Sequence, residues 1–216
     1  MEQPIKTVIF DFDGTLADTA RGILRCALEA LHAFGFDETD NERLRGFIGP
    51  PLLDSFMCYS HDEEIARGMV SKYREHYRGG GIFECDLYDG VTDMLSALSA
   101  AGVQMAIASS KPGEFVRKIL AHLGIDGFFS FVSAPVIGQP EPSKAQLIEA
   151  VIENLNADKA TTLMVGDRMF DIDGAAQAGV MSAGVLYGFG SETELKQHKA
   201  QFLFESPNQI TELILG

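Results

Sequence analysis

Asp11 and Asp13, two residues apart, follow directly on the apolar run Val8-Ile9-Phe10 and precede Gly14-Thr15. Carboxylates at the end of a buried strand are costly unless a cation or a reaction uses them. The β-branched and aromatic run reads as a core strand, and Gly14-Thr15 reads as a sharp turn away from it. In an open α/β sheet the carboxyl ends of the strands are where ligands bind. Asp is also among the side chains that can accept a phosphoryl group as nucleophile. The plain alternative is an Asx turn after a strand.

Three further groups could act with these carboxylates. Ser109-Ser110-Lys111 follows Met105-Ala106-Ile107-Ala108. The hydroxyl and turn amides there suit phosphate oxygens, or else Ser110 caps a helix starting at Pro112. Lys144 lies in the first turn of a helix behind Ser143, where anions bind but a cation opposes the helix dipole. It is either a ligand for an anion or a surface lysine. Gly166-Asp167 ends the run Leu163-Met164-Val165, and Asp171 returns one helical turn later. Two carboxylates four apart share a face and suit a hard cation; the alternative is helix capping.

The elements that must carry these groups alternate regularly. Strands are predicted over 7–10, 103–108, 128–132, 161–165, 181–186 and 202–204. Helices are predicted over 91–101, 112–123, 144–155, 170–178, 192–198 and 207–213. Helices alternating with uninterrupted apolar strands specify a parallel sheet covered on both faces. Between the first two strands, residues 40–84 offer no buried strand. A helix over 19–34, with Asp18 and Thr19 as N-cap residues, is followed by a loop over 46–51 and a charged helix over 62–77. This stretch reads as an inserted helical domain, 17–85, within a catalytic core of 1–16 and 86–216. The linkers are near 16–18 and 79–88.

Composition narrows the function. A formal net charge of −14 over 216 residues disfavours nucleic acid as a partner, which needs a basic face. An anionic substrate would have to be met locally by metal, lysine or helix N-termini. Three cysteines without CxxC spacing and five scattered histidines give neither a disulfide framework nor a zinc site. No apolar run nears the ~18 residues of a membrane span, and residues 1–7 are too polar for a signal peptide. The expected address is the cytoplasm, as a monomer or homodimer.

Taken together, Asp11-Phe12-Asp13-Gly14-Thr15, Ser109, Lys144 and Gly166-Asp167 with Asp171 resemble the four motifs of the haloacid dehalogenase superfamily. The resemblance covers essentially the whole chain. It implies a Rossmann-like α/β core with an inserted four-helix cap, as in the phosphoglycolate phosphatase-like branch. Phe47-Ile48-Gly49-Pro50-Pro51-Leu52, Ala108-Ser109-Ser110-Lys111-Pro112 and the segment 184–191 are similar to bacterial members named phosphoglycolate phosphatases or 5′-nucleotidases. Two departures stand out: serine replaces the commoner threonine at Ser109, and Pro140-Glu141-Pro142 precedes Lys144 where Lys-Pro-x-Pro is usual.

The resemblance implies a Mg2+-dependent phosphatase of a small phosphorylated metabolite. Asp11 would attack phosphorus, and Asp13 would protonate the leaving oxygen and then activate water. Asp11, the Asp13 carbonyl and Asp167 would hold Mg2+, with Asp171 orienting them. Ser109, Ser110 and Lys144 would bind the phosphoryl group, with Lys111 the rival for the lysine role. Closure of the cap would bring the 46–51 loop onto the leaving group. A sugar phosphomutase and a non-catalytic protein of the same fold are the alternative readings.

Overall fold

The structure is a computed structural model that describes residues 4–216. In chain order the main elements are β1 Thr7–Phe10, α1 Ala20–Ala33, α2 Asn41–Arg45, α3 Leu52–Ser60, α4 Glu63–Arg78 and α5 Val91–Ala100. They continue with β2 Gln104–Ala108, α6 Gly113–His122, β3 Phe131–Ser133, α7 Lys144–Leu155 and β4 Thr162–Gly166. The chain closes with α8 Met169–Ala178, β5 Met181–Val185, α9 Glu192–Gln197, β6 Phe202–Phe204 and α10 Pro207–Leu215. Among the described residues the chain forms two compact units. One comprises the residues up to Asp18 together with Leu87–Gly216; the other is Thr19–Asp86.

The first unit is built on a six-stranded sheet in the order β3-β2-β1-β4-β5-β6. Every pairing is parallel. The strand order reverses at β1, the switch point where such sheets bind ligands. Register then decides which residues meet. Phe10 pairs with Ile107 on one side and Val165 on the other. The residues that follow on all three strands, including Asp11, Ser109 and Asp167, therefore arrive at one edge.

Val8, Ile9 and Phe10 have no exposed surface, as expected of a central strand covered on both faces. On one face Ile9, Ala106 and Met164 pack against Leu147, Ile148 and Val151 of α7 and Ala175 of α8. A capping box starts α7: Gln146 N–H donates to Ser143 Oγ at 3.3 Å, and Ser143 N–H donates to Gln146 Oε1 at 2.8 Å. The start of that helix, and hence Lys144, is fixed against the sheet.

Three local expectations shift. The apolar run 128–132 starts its strand only at Phe131, because Asp126–Phe128 form a 3-10 turn and the Phe129 ring packs edge-on to Phe10 at 6.4 Å. Ser110 does not cap α6, whose N-cap position is Pro112 with no side-chain cap bond. Thr19 occupies the N-cap position of α1 but is buried and caps nothing with its hydroxyl.

The second unit holds α1 to α4. In α1 the buried residues Ile23, Cys26, Ala27, Ala30 and Leu31 recur at helical spacing on one face. Phe47 of the 46–51 loop is buried in this unit, 4.7 Å from the Phe56 ring and 5.8 Å from Tyr59. Phe56 meets Tyr73, which stacks on Tyr77.

Ile148 has no exposed surface in the layer that seats Lys144. Ile148→Ala should destabilise the protein by about 2–5 kcal/mol. In urea this appears as a lower midpoint at unchanged slope.

Candidate active site

Four carboxylates and two lysines converge at the sheet edge. Asp11 N–H donates to the Val165 carbonyl at 2.8 Å, which keeps Asp11 in line with β1 as it leaves the sheet. Carboxylate oxygens of Asp11, Asp167 and Asp171 all lie within 4.8 Å of one another. Asp167 is fully buried and Asp171 1% exposed, whereas the Asp11 side chain keeps 13% exposure. The group thus opens at Asp11.

Each carboxylate is held by the chain. Asp167 Oδ1 accepts from Thr15 Oγ1 at 3.2 Å, and its Oδ2 accepts from Phe189 N–H at 2.8 Å. Asp171 Oδ2 accepts from Arg168 N–H at 3.0 Å, so the capping role is present as well. That turn is steadied by Glu194, whose Oε1 accepts from Met169 N–H and from Arg168 Nε. Gly14, at φ +81, brings the turn after Asp13 against Asp167; a Cβ there would lie 2.3 Å from Asp167 Oδ2. No side chain fits, and the conformation itself favours glycine.

Lys144 enters between α7 and α8. Its stem lies over Gly174, where a Cβ would come within 2.7 Å of Lys144 Cγ. Its ammonium stands 3.0 Å from Asp11 Oδ1 and 2.8 Å from Asp171 Oδ1, and donates to the Ala108 carbonyl at 3.0 Å. Burial alone would lower the Lys144 pKa, but Asp11 and Asp171 outweigh it and hold the ammonium charged. Lys144 therefore sits against Asp11, despite the Pro-Glu-Pro that precedes it. Lys111, the rival, lies elsewhere: its Nζ is 2.8 and 2.9 Å from the two oxygens of Asp13.

Ser109 is buried, and its Oγ accepts from Lys111 N–H at 3.2 Å. Ser110 is exposed. Sequence reasoning singled out neither the Thr15 hydroxyl nor the Phe189 amide nor Glu194. Gly188 and Gly190 flanking Phe189 were the available signal, since a Cβ at either would strike Asp167.

The charges decide what the site can hold. Two ionised carboxylates about 4 Å apart repel by about 4 kcal/mol even at an effective dielectric of about 20. Four carboxylates face two ammonium groups, so full ionisation would leave two negative charges uncompensated. Without a cation, burial pushes Asp11 up to about 6, with Asp171 and Asp13 adding to it and Lys144 opposing. Burial pushes Asp167 up to about 8, with Asp171 and Asp11 adding. Asp11 Oδ1 and Asp171 Oδ1 are buried without an aligned hydrogen-bond donor, although both face the Lys144 charge. An oxygen-rich, negatively charged, partly desolvated group of this kind fits a hard divalent cation.

The sequence and fold are similar to those of known proteins. The sequence pattern of the haloacid dehalogenase-like hydrolase family matches residues 8–185. A 5′-nucleotidase of Pseudomonas aeruginosa is 42% identical over 193 residues, which cover 89% of this chain and 87% of that protein. A phosphoglycolate phosphatase of Colwellia psychrerythraea is 28% identical over 218 residues, covering 96% of each chain. The crystal structure of a candidate phosphatase from Clostridium difficile superposes with a TM-score of 0.91 at 36% identity, over 98% of this chain and 99% of that one.

The raised carboxylates set a pH dependence. The folded protein holds more protons than the unfolded chain from about pH 4 up to about 6 at Asp11 and about 8 at Asp167. Stability contributed by these groups therefore falls as pH rises through that window. Calorimetry of metal-free protein should show Tm declining from about pH 4 to 8, less so in Asp167→Asn. Added Mg2+ should raise Tm most at the alkaline end. An identical decline in Asp167→Asn would contradict this.

Proposed function

The chain belongs to the haloacid dehalogenase-like hydrolase family, and on that premise we propose a Mg2+-dependent phosphatase acting on a small phosphomonoester through an aspartyl-phosphate on Asp11. The observation that carries this reading is the position of Asp11. It is the most exposed carboxylate of the buried acidic group, at the switch point of the sheet, with an ammonium 3.0 Å away. The Lys144 charge favours ionised Asp11, the form that can attack.

The reaction follows in two displacements. An Asp11 oxygen forms a bond to phosphorus as the bond to the leaving oxygen breaks, and the electron pair goes to that oxygen. Asp13 supplies the proton that the leaving oxygen takes up. Water then attacks phosphorus, giving its proton to Asp13, and the bond to Asp11 breaks to release phosphate. Lys144 and the Ser109 hydroxyl face the negative charge of the transferring group. Asp11, Asp167 and the Asp13 carbonyl, with Asp171 beside them, would hold Mg2+, which would supply the charge neutralisation that two lysines leave incomplete.

The similarity to a 5′-nucleotidase supports nucleoside 5′-monophosphates as substrates, and the similarity to a phosphoglycolate phosphatase supports phosphoglycolate. Release of inorganic phosphate from both, and from a wider set of monoesters, is the direct test. Turnover should require Mg2+ and stop in excess EDTA. Asp11→Asn should fold normally and lose activity by at least about a thousandfold, since an amide is no nucleophile. Lys144→Ala should lower kcat/KM by roughly a hundredfold, as for loss of a preorganised charge donor. Full turnover in EDTA, or by Asp11→Asn, would contradict the proposal.

A further inference from the structure

The two aspartates of Asp11-Phe12-Asp13 have separate lysines. Lys144 stands against Asp11 and Asp171, whereas Lys111 meets both oxygens of Asp13 at 2.8 and 2.9 Å. The Lys111 side chain is only 6% exposed, against 22% for Asp13. Its backbone is fixed on both sides. Lys111 N–H donates to Ser109 Oγ, and beyond the rigid Pro112 the Gly113 N–H donates to the Pro135 carbonyl at 3.0 Å. An ammonium anchored this way restrains the rotation of the Asp13 carboxylate, which otherwise sits on a tight turn after the strand.

We propose that Lys111 is the positioning residue for Asp13, aiming its carboxyl group at the leaving oxygen, and is not an anchor for the phosphoryl group. This rests on the reading of Asp13 as the proton donor. Each carboxylate oxygen has two lone-pair sites, so the ammonium can hold both oxygens and leave an outer site for the proton. As the bond from phosphorus to the leaving oxygen breaks, the proton passes from Asp13 to that oxygen, and the negative charge left on Asp13 falls beside the Lys111 ammonium. In the second displacement the proton returns from water to the same oxygen. A lysine that bound phosphate instead would have to abandon both contacts.

Leaving-group dependence distinguishes the two roles. An alkyl phosphomonoester such as phosphoglycolate or a nucleoside 5′-monophosphate expels a strongly basic oxygen and needs the proton. 4-Nitrophenyl phosphate expels a stable anion and needs it little. Lys111→Met should lower kcat/KM by about tenfold or more on the alkyl ester but by less than about threefold on the aryl ester. Inhibition by inorganic phosphate should stay within about twofold of wild type, and Lys111→Arg should regain part of the loss. The double variant with Asp13→Asn should be no worse than Asp13→Asn alone. If the Met variant does not fold, Lys111→Gln is measured in the same way.

Equal losses on both esters, or phosphate inhibition weakened about tenfold, would overturn the proposal and make Lys111 a phosphate ligand. Asp13→Asn separates this failure from that of the wider reading. If it selectively impairs the alkyl ester while Lys111→Met does not, only the positioning role falls. If Asp13→Asn shows no such selectivity, the proton-donor role falls and the Lys111 proposal with it.

Discussion

Electrostatic repulsion at one edge of a parallel sheet governs this molecule. Asp11, Asp13, Asp167 and Asp171 are brought together with Lys111 and Lys144 as their close cationic partners, and three of the carboxylates lie within 4.8 Å. Such a group is unfavourable in a fold that gains its stability elsewhere, because desolvated like charges repel strongly. The fold sustains it by rigid placement. Register at β1 aligns the strand ends, a capping box fixes the start of α7, and Glu194 steadies the turn before Asp171.

That placement depends on close backbone approach as much as on charge. Gly14 lets the turn after Asp13 rest against Asp167, and Gly174 lets the Lys144 stem pass α8 to reach Asp11. The apolar layer of Ile9, Ile148 and Met164 lies directly beneath. Packing here is therefore part of the chemistry: a shift of either helix would separate an ammonium from its carboxylates. The same logic divides labour between the lysines. Lys144 is held against Asp11 and Asp171, and Lys111 against Asp13.

The core was legible in the sequence because its signals are local. Uninterrupted apolar runs such as Val8-Ile9-Phe10 and Leu163-Met164-Val165, alternating with helical patterns, read as strands covered on both faces, and the polar residue ending each marks the edge where ligands bind. Asp11 and Asp167 were singled out from those strand ends, and Lys144 and Asp171 from the starts of the helices that follow. What stayed hidden depends on distance in the chain. Thr15 reaches Asp167 across 152 residues, and Lys111 reaches Asp13 across 98. Nothing in the order of residues assigns one lysine to one aspartate. The strand over 128–132 was displaced for a similar reason: the Phe129 ring is drawn onto Phe10 from a distant part of the chain.

The central claim is that Asp11 carries the phosphoryl group during turnover. Quenching the enzyme with acid in the steady state, reducing with borohydride and locating the modified residue by mass spectrometry tests it most directly. An acyl phosphate is reduced where a free carboxylate is not, so the account predicts conversion of Asp11 to homoserine, dependent on substrate and absent from Asp11→Asn. Substrate-dependent modification at another residue would contradict it, as would turnover with no trapped species under conditions where hydrolysis of the intermediate limits the rate.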